Sequence, residues 1–143
     1  MSGANRRSMR NLIFLLFWLP LGALAQPPNT LAIDEVHRGP AVVMRLSGHL
    51  TIGPDDKLRA QVNSAIARDV RKIVFNLSGL KGMDTYGLAE LVRSYTSLKD
   101  RGGAVVLCDL PDRAVDLLFI TQLITVFDVY TNEDEALSAL GFR

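Results

Sequence analysis

The sequence is poor in the residues from which covalent or metal-centred chemistry is built. It holds one cysteine, Cys108, and two histidines, His37 and His49, in 143 residues. A lone cysteine excludes an intramolecular disulfide and any cysteine-based zinc site. Neither histidine has an acidic or cysteine neighbour at ligand spacing, so both read as structural or solvent-facing, and no metal and no cofactor is expected. Charge of one sign is scarce as well: Lys and Arg total 16 against 15 Asp and Glu, a balance without the basic footprint that nucleic acid requires. One catalytic spacing occurs, S-x-x-K at Ser78-Gly-Leu-Lys81. That chemistry needs its Ser and Lys one helical turn apart and further S-D-N and K-T-G motifs. Gly79 places the pair in an expected strand-to-helix loop and neither further motif follows, so no catalytic residue is assigned and the chain is expected not to be an enzyme.

Long apolar runs are also missing. The longest, Leu12 to Leu21, falls short of the roughly 20 residues of a membrane-spanning helix and contains Pro20. Arg6, Arg7 and Arg10 precede it, and the small-x-small site Ala23-Leu24-Ala25 follows, which is the layout of a secretory signal peptide. Residues 1–25 are therefore expected to be signal-peptide-like, directing the chain to the periplasm or outside the cell without a stable membrane span. Their removal takes away three Arg and no acid, leaving 118 residues with a net charge of −2. Pro27 and Pro28 push their preceding residues out of helix, so residues 26–30 read as an extended linker and residues 31–143 as the domain.

What is present is a regular alternation of elements. Leu31–His37 and Ala41–Ser47 are β-rich runs around Arg38-Gly39-Pro40, which predicts a hairpin. From Pro54, the residues Leu58, Val62, Ala65 and Ile66 recur at helical spacing, with Asp55 and Asp56 placed in the first turn. The unbroken apolar run Lys72–Leu77 predicts a strand covered on both faces, followed by a loop from Ser78 to Met83. Leu88, Leu91, Val92, Tyr95 and Leu98 form the stripe of a second helix, with Lys99 and Arg101 in its last turn and Gly102-Gly103 as its stop.

Ala104–Cys108 predicts another buried strand, and its cysteine a buried, inert thiol. Pro111 opens a third helix through Val115, Leu118 and Phe119. Val126–Tyr130 is a short strand, and Asn132 with Glu135 forms a capping box for a last helix carrying Ala136, Leu137 and Leu140. The order β-β-α-β-α-β-α-β-α predicts a single α/β domain with one mixed sheet and helices packed against it. The core is expected at Ile73, Val74, Phe75, Leu77, Leu88, Leu91, Val92, Val105, Val106 and Leu107.

Asp84 and Thr85 stand where the apolar strand gives way to the second helix. On residue types alone they are a helix cap. A helix start also presents free backbone N–H groups and partial positive charge, so a phosphate on Thr85 would be tolerated there. To a docked partner it would add about −1.5 to −2 charge beside Asp84.

Met83-Asp84-Thr85-Tyr86-Gly87-Leu88, between a strand and an amphipathic helix that ends in Gly-Gly and preceded by a hairpin ending in S-G-H-L, resembles the D-S-S-G-L-G or D-S-A-G-L motif of the STAS family. Asp109-Leu-Pro-Asp-Arg113 and Ile120–Phe127 resemble that family's third-helix region. Tyr86 stands in place of a small residue, and Gln122 where a glycine is common. The resemblance implies a STAS domain over residues 31–143 that acts as an anti-sigma factor antagonist. Such a domain binds a serine/threonine-kinase anti-sigma factor when unphosphorylated and is released on phosphorylation, here at Thr85. The implied partner surface comprises Asp84, Thr85, Tyr86, Gly87 and Leu88 with His49 and Thr51. It also implies a cytoplasmic setting, with ATP and kinase at hand, in contrast to the export that the N-terminal layout predicts. Two alternatives share the fold: an accessory subunit of a phospholipid-transport ATPase, with that ATPase as partner, and an exported interaction domain that does not use phosphorylation.

Overall fold

A computed structural model describes residues 30–53 and 56–141. The signal-peptide-like segment, most of the linker and Asp55 lie outside the described residues. The elements are β1 (Leu31–Arg38), β2 (Ala41–Leu50), α1 (Lys57–Ala67), β3 (Lys72–Met83), α2 (Thr85–Lys99), β4 (Ala104–Cys108), α3 (Asp112–Ile120), a 3-10 turn (Leu123–Thr125), β5 (Val129–Tyr130) and α4 (Glu133–Ala139). This is the expected order. The strands form one mixed sheet in the order β1-β2-β3-β4-β5, antiparallel between β1 and β2 and parallel thereafter.

Strand order equals chain order, so every crossover steps the same way along the sheet. Right-handed crossovers then place α1, α2 and α3 on one face. Between them and the sheet lies the main core, with Met44, Ile73, Phe75, Leu77, Leu91, Leu107 and Leu118 fully buried. On the other face α4 covers a smaller cluster: Ala136 and Leu137 against Ala41, Val43, Val74, Val106 and Cys108. Alternate residues of β3 point into each cluster, which explains its unbroken apolar run. Of the ten expected core residues nine are buried, and Val92 packs partly exposed against the main cluster. Burial pushes the Cys108 thiol up to about 12, with the Asp109 carboxylate adding to the shift, so the thiol stays protonated and unreactive.

Several local expectations change. Ser78 to Met83 is not a loop: β3 runs on through it, pairing Ser47 with Gly79, Gly48 with Leu80, His49 with Gly82 and Leu50 with Met83, after a register shift. Two glycines in six residues read as loop chemistry, but Gly79 is there because the neighbouring backbone is close. A Cβ at Gly79 would stand 2.8 Å from the Ser47 Cβ and 2.9 Å from the Leu46 carbonyl oxygen.

Asp56 is the residue before α1 rather than part of its first turn; its carbonyl accepts from the Ala60 N–H at 2.9 Å, but its side chain makes no cap hydrogen bond. Helix α2 ends at Lys99, so Arg101 follows it, donating to the Ser97 carbonyl at 2.8 Å. In α3 the buried residues are Ala114 and Leu118, while Phe119 is exposed. The last strand is only Val129–Tyr130, because the chain from Leu123 first makes a 3-10 turn. Gln122, the residue before that turn, has φ 62, the left-handed conformation that glycine adopts without cost.

Candidate functional site

The site is assembled where β2 and β3 end and α2 begins. Asp84 is the N-cap of α2, in extended backbone conformation. One carboxylate oxygen, Oδ1, accepts from the Gly87 N–H at 2.9 Å, the usual cap bond. The other, Oδ2, accepts from the Ile52 N–H at 3.1 Å, thirty-two residues away in the loop after β2. The Asp84 N–H in turn donates to the Leu50 carbonyl at 3.4 Å. The cap therefore ties the helix start to another segment of the chain.

Gly87 belongs to the same construction. It lies so close to β2 that a Cβ there would sit 1.9 Å from the Leu50 carbonyl oxygen. No other residue fits without moving backbone. Leu88, next along, is buried in the main core. Gly87 and Leu88 thus seat the helix rather than face solvent.

Thr85 is the first residue of α2 and is exposed. Tyr86 is more than one-third exposed, and its hydroxyl approaches the Asp56 carboxylate at 3.5 Å. Below it Arg59 of α1 donates to the buried Glu90 of α2 at 2.6 Å, and Arg93 stands 3.5 Å from the same carboxylate. The hydrogen bond to Glu90 raises the Arg59 pKa above its ordinary value, so the guanidinium is a fixed charge holding α1 against α2. Ile52, bonded to Asp84 through its N–H, exposes two-thirds of its side chain.

The remaining two predicted residues lie on the adjoining strand and loop. His49 near the end of β2 is half-buried over Gly82, whose added Cβ would meet the imidazole Cδ2 at 2.8 Å. Thr51 follows β2, and its Oγ1 is buried with no hydrogen-bond partner among the described residues. All seven residues are thus on connected segments, with Thr85 and Tyr86 as their exposed part, and the exposed Ile52 joins them through its bond to Asp84. Ile52 was missed by sequence reasoning. An apolar side chain beside Gly53 and Pro54 in a polar loop was the available signal.

The chain matches the STAS domain model over residues 32–136. It belongs to the STAS family. A relative of this STAS domain, the anti-sigma F factor antagonist of Paenibacillus polymyxa, is 35% identical over 107 residues, which is 74% of this chain and 91% of that one. Among solved structures, an anti-sigma factor antagonist from Mycobacterium paratuberculosis superposes with a TM-score of 0.69 at 20% identity, covering 80% of this chain and 97% of that one. The Bacillus cell fate determinant SpoIIAA, in its phosphorylated form, superposes with a TM-score of 0.60 at 22% identity, covering 78% and 99%. At these identities the two structures establish the fold.

Among the described residues no helix is long and apolar enough to cross a membrane, and no group of three or more His, Cys, Asp or Glu is placed to hold a metal ion. Ser78 and Lys81 share one extended strand instead of one helical turn.

Proposed function

We propose that this STAS domain is an anti-sigma factor antagonist, a binding protein without catalytic activity of its own. It engages a kinase-type anti-sigma factor through the α2 start and lets go when Thr85 is phosphorylated. The relationship to the Paenibacillus polymyxa antagonist supports the class. The observation that carries the switch is the division of labour at the helix start. Asp84 makes the cap bond and Gly87 the close packing, so Thr85, exposed at the first helical position, carries neither of these tasks. A phosphate there meets backbone N–H groups and sets a dianion next to Tyr86 and to Asp84, the residue that Ile52 is bonded to, in the exposed surface a partner would cover. Like-charge repulsion from Asp84 and the desolvation of the phosphate oppose docking.

The test is a titration of the wild type, Thr85→Ala and Thr85→Glu against a candidate kinase-type anti-sigma factor, with phosphosite mapping after incubation with ATP. Thr85→Ala retains binding, Thr85→Glu weakens it at least about tenfold, and phosphate is found on Thr85 rather than Tyr86 or Ser78. Equal affinities and an unmodified Thr85 would leave Asp84-Thr85 as a helix cap alone. The basic, apolar and small-residue layout of residues 1–25 favours a second reading, in which the chain is cleaved after Ala25, exported, and binds its partner without phosphorylation. The mass of the native protein tests it: a product beginning at Met1 or Met9 and found with ATP and kinase in the cytoplasm would refute it.

A further inference from the structure

The sheet has two edges of unequal length. At one, β5 offers two residues, Val129 and Tyr130. At the other, β1 is eight residues long and pairs with β2 without a register break, from Leu31 with Gly48 to Arg38 with Ala41. Among the described residues no strand pairs with its outer side. Proteins blunt such an edge by shortness, proline, lysine or a bulge. Shortness protects β5, whereas Leu-Ala-Ile-Asp-Glu-Val-His-Arg of β1 has no proline, lysine or bulge and is guarded by the charges of Asp34, Glu35 and Arg38 alone, which a second copy can pair.

We propose that this edge pairs with β1 of a second copy, joining two sheets antiparallel about a two-fold axis. Symmetry and charge together choose the register. A two-fold normal to the sheet keeps each residue on its own face, so the axis must pass beside one residue paired with itself. Centring on Asp34 or Glu35 opposes two like carboxylates across the axis, and centring on His37 opposes two imidazoles. Ile33 at the centre leaves each acid facing an apolar side chain.

Val36 alone sets both acids of the strand opposite a base. It meets its own copy, each Glu35 faces the partner's His37, and each Asp34 faces the partner's Arg38. Asp34 and Arg38 are exposed, and the Asp34 carboxylate also stands 3.8 Å from Arg45 of its own chain, a long exposed contact that leaves it able to reach across the edge. Glu35 already has a 3.3 Å contact with His37 of its own strand and a 2.6 Å bond from Arg68, so the partner's imidazole extends an existing acid–base cluster. Pairing is limited to residues 34–38 of each strand, since beyond them the turn at Gly39-Pro40 opposes Ile33 and Ala32. The dimer is accordingly weak, with a dissociation constant of micromolar order.

The experiment is sedimentation equilibrium of the full chain from about 5 to 500 μM, with thermal unfolding as a check that each variant folds. The wild type should shift from monomer to dimer over this range. Arg38→Glu, and separately Asp34→Arg, should weaken the dimer about tenfold or more, because the two-fold places each like-charge pair at two positions. The double variant Asp34→Arg/Arg38→Glu restores opposite charges and should recover the wild-type constant. A chain that stays monomeric throughout, or a dimer indifferent to both single variants, would overturn the proposal. So would a double variant that is weaker than either single change.

Discussion

Helices α2 and α4 begin alike and are used differently. At both, a side-chain oxygen of the cap residue accepts the N–H three residues on at 2.9 Å: Asp84 from Gly87, and Asn132 from Glu135. In α2 the cap residue also makes the long-range tie, to Ile52, and the first helical residue, Thr85, is left exposed. In α4 the cap residue acts only locally, and the first helical residue makes the long-range tie. Glu133 there accepts from Arg45 at 2.7 and 3.0 Å and from Asn76 at 2.8 Å. Glu135 reaches back to the Thr131 N–H and hydroxyl, one residue beyond the cap position of an ordinary capping box. The cap bond alone therefore does not separate a plain helix cap from the proposed regulatory site. The distinction is which residue is released from structural duty, and at α2 it is the hydroxyl.

The comparison can be broken most severely at Gly87. Gly87→Ala forces a Cβ into the Leu50 carbonyl and should cost about 3 kcal/mol or more, measured by chemical denaturation. The position of the same rank in α4, Glu135, is exposed and has no such neighbour. Next comes the cap itself. Asp84→Ala removes two hydrogen bonds to a carboxylate and should cost about 2 to 3 kcal/mol. Asp84→Asn retains the local acceptor but sacrifices either the bond from Ile52 or its geometry, so its loss should fall between that value and zero and reports the long-range half. Asn132→Ala removes a local cap alone and should cost about 1 kcal/mol. Equal losses at Asp84 and Asn132 would abolish the distinction between the two helix starts.

A smaller effect appears in the pH dependence. The hydrogen bond from Arg45 holds the Glu133 carboxyl below its ordinary value of 4.5, against the opposing effect of burial. A folded-state pKa below the unfolded one gives stability that is present above the unfolded pKa and lost as pH falls through the folded pKa. Wild-type stability should thus decline on acidification below about pH 4.5, and Glu133→Gln should flatten that limb. A parallel decline in the variant would move the acid sensitivity elsewhere, to Glu35 first. Burial raises the Glu35 pKa, but Arg68 and Gln61 together outweigh it and hold the group low. Least affected should be Glu135→Ala, whose exposed bonds to Thr131 leave the unfolding transition nearly where it was.

The element order and the main core were legible because burial on a sheet imposes periodicity that a sequence displays directly. Phe75 and Leu91 could be assigned from spacing alone. What escaped was set by close approach between distant segments. Gly79 and Gly82 have the composition of a loop, and only the neighbouring β2 shows why a strand carries them: the Ser47 Cβ and Leu46 carbonyl crowd Gly79, and the His49 imidazole crowds Gly82. Gly87 was legible as part of a motif, but its physical reason, the Leu50 carbonyl, lies thirty-seven positions away.

Gln122 shows the reverse case. The sequence marks it as a departure from a common glycine, and the backbone there does take the left-handed conformation that glycine favours. At the site, Asp84 and Thr85 were legible by type and place. Ile52 was not: its exposed apolar side chain was a faint signal, and its tie to Asp84 comes from a backbone N–H that any residue but proline would supply.

The identity of strand order and chain order also bears on how the domain is made. Each strand pairs with the one synthesised just before it, so no strand must wait for a distant partner and loop closure stays short. The hairpin of β1 and β2 can act as a template at the ribosome, with β3, β4 and β5 adding in turn. Helix α4 arrives last, and until it does Val43, Val74 and Val106 form an uncovered apolar face. The vulnerable intermediate of this fold is therefore a nearly complete domain, in which the proposed regulatory helix is already seated while the back of the sheet is still open to aggregation.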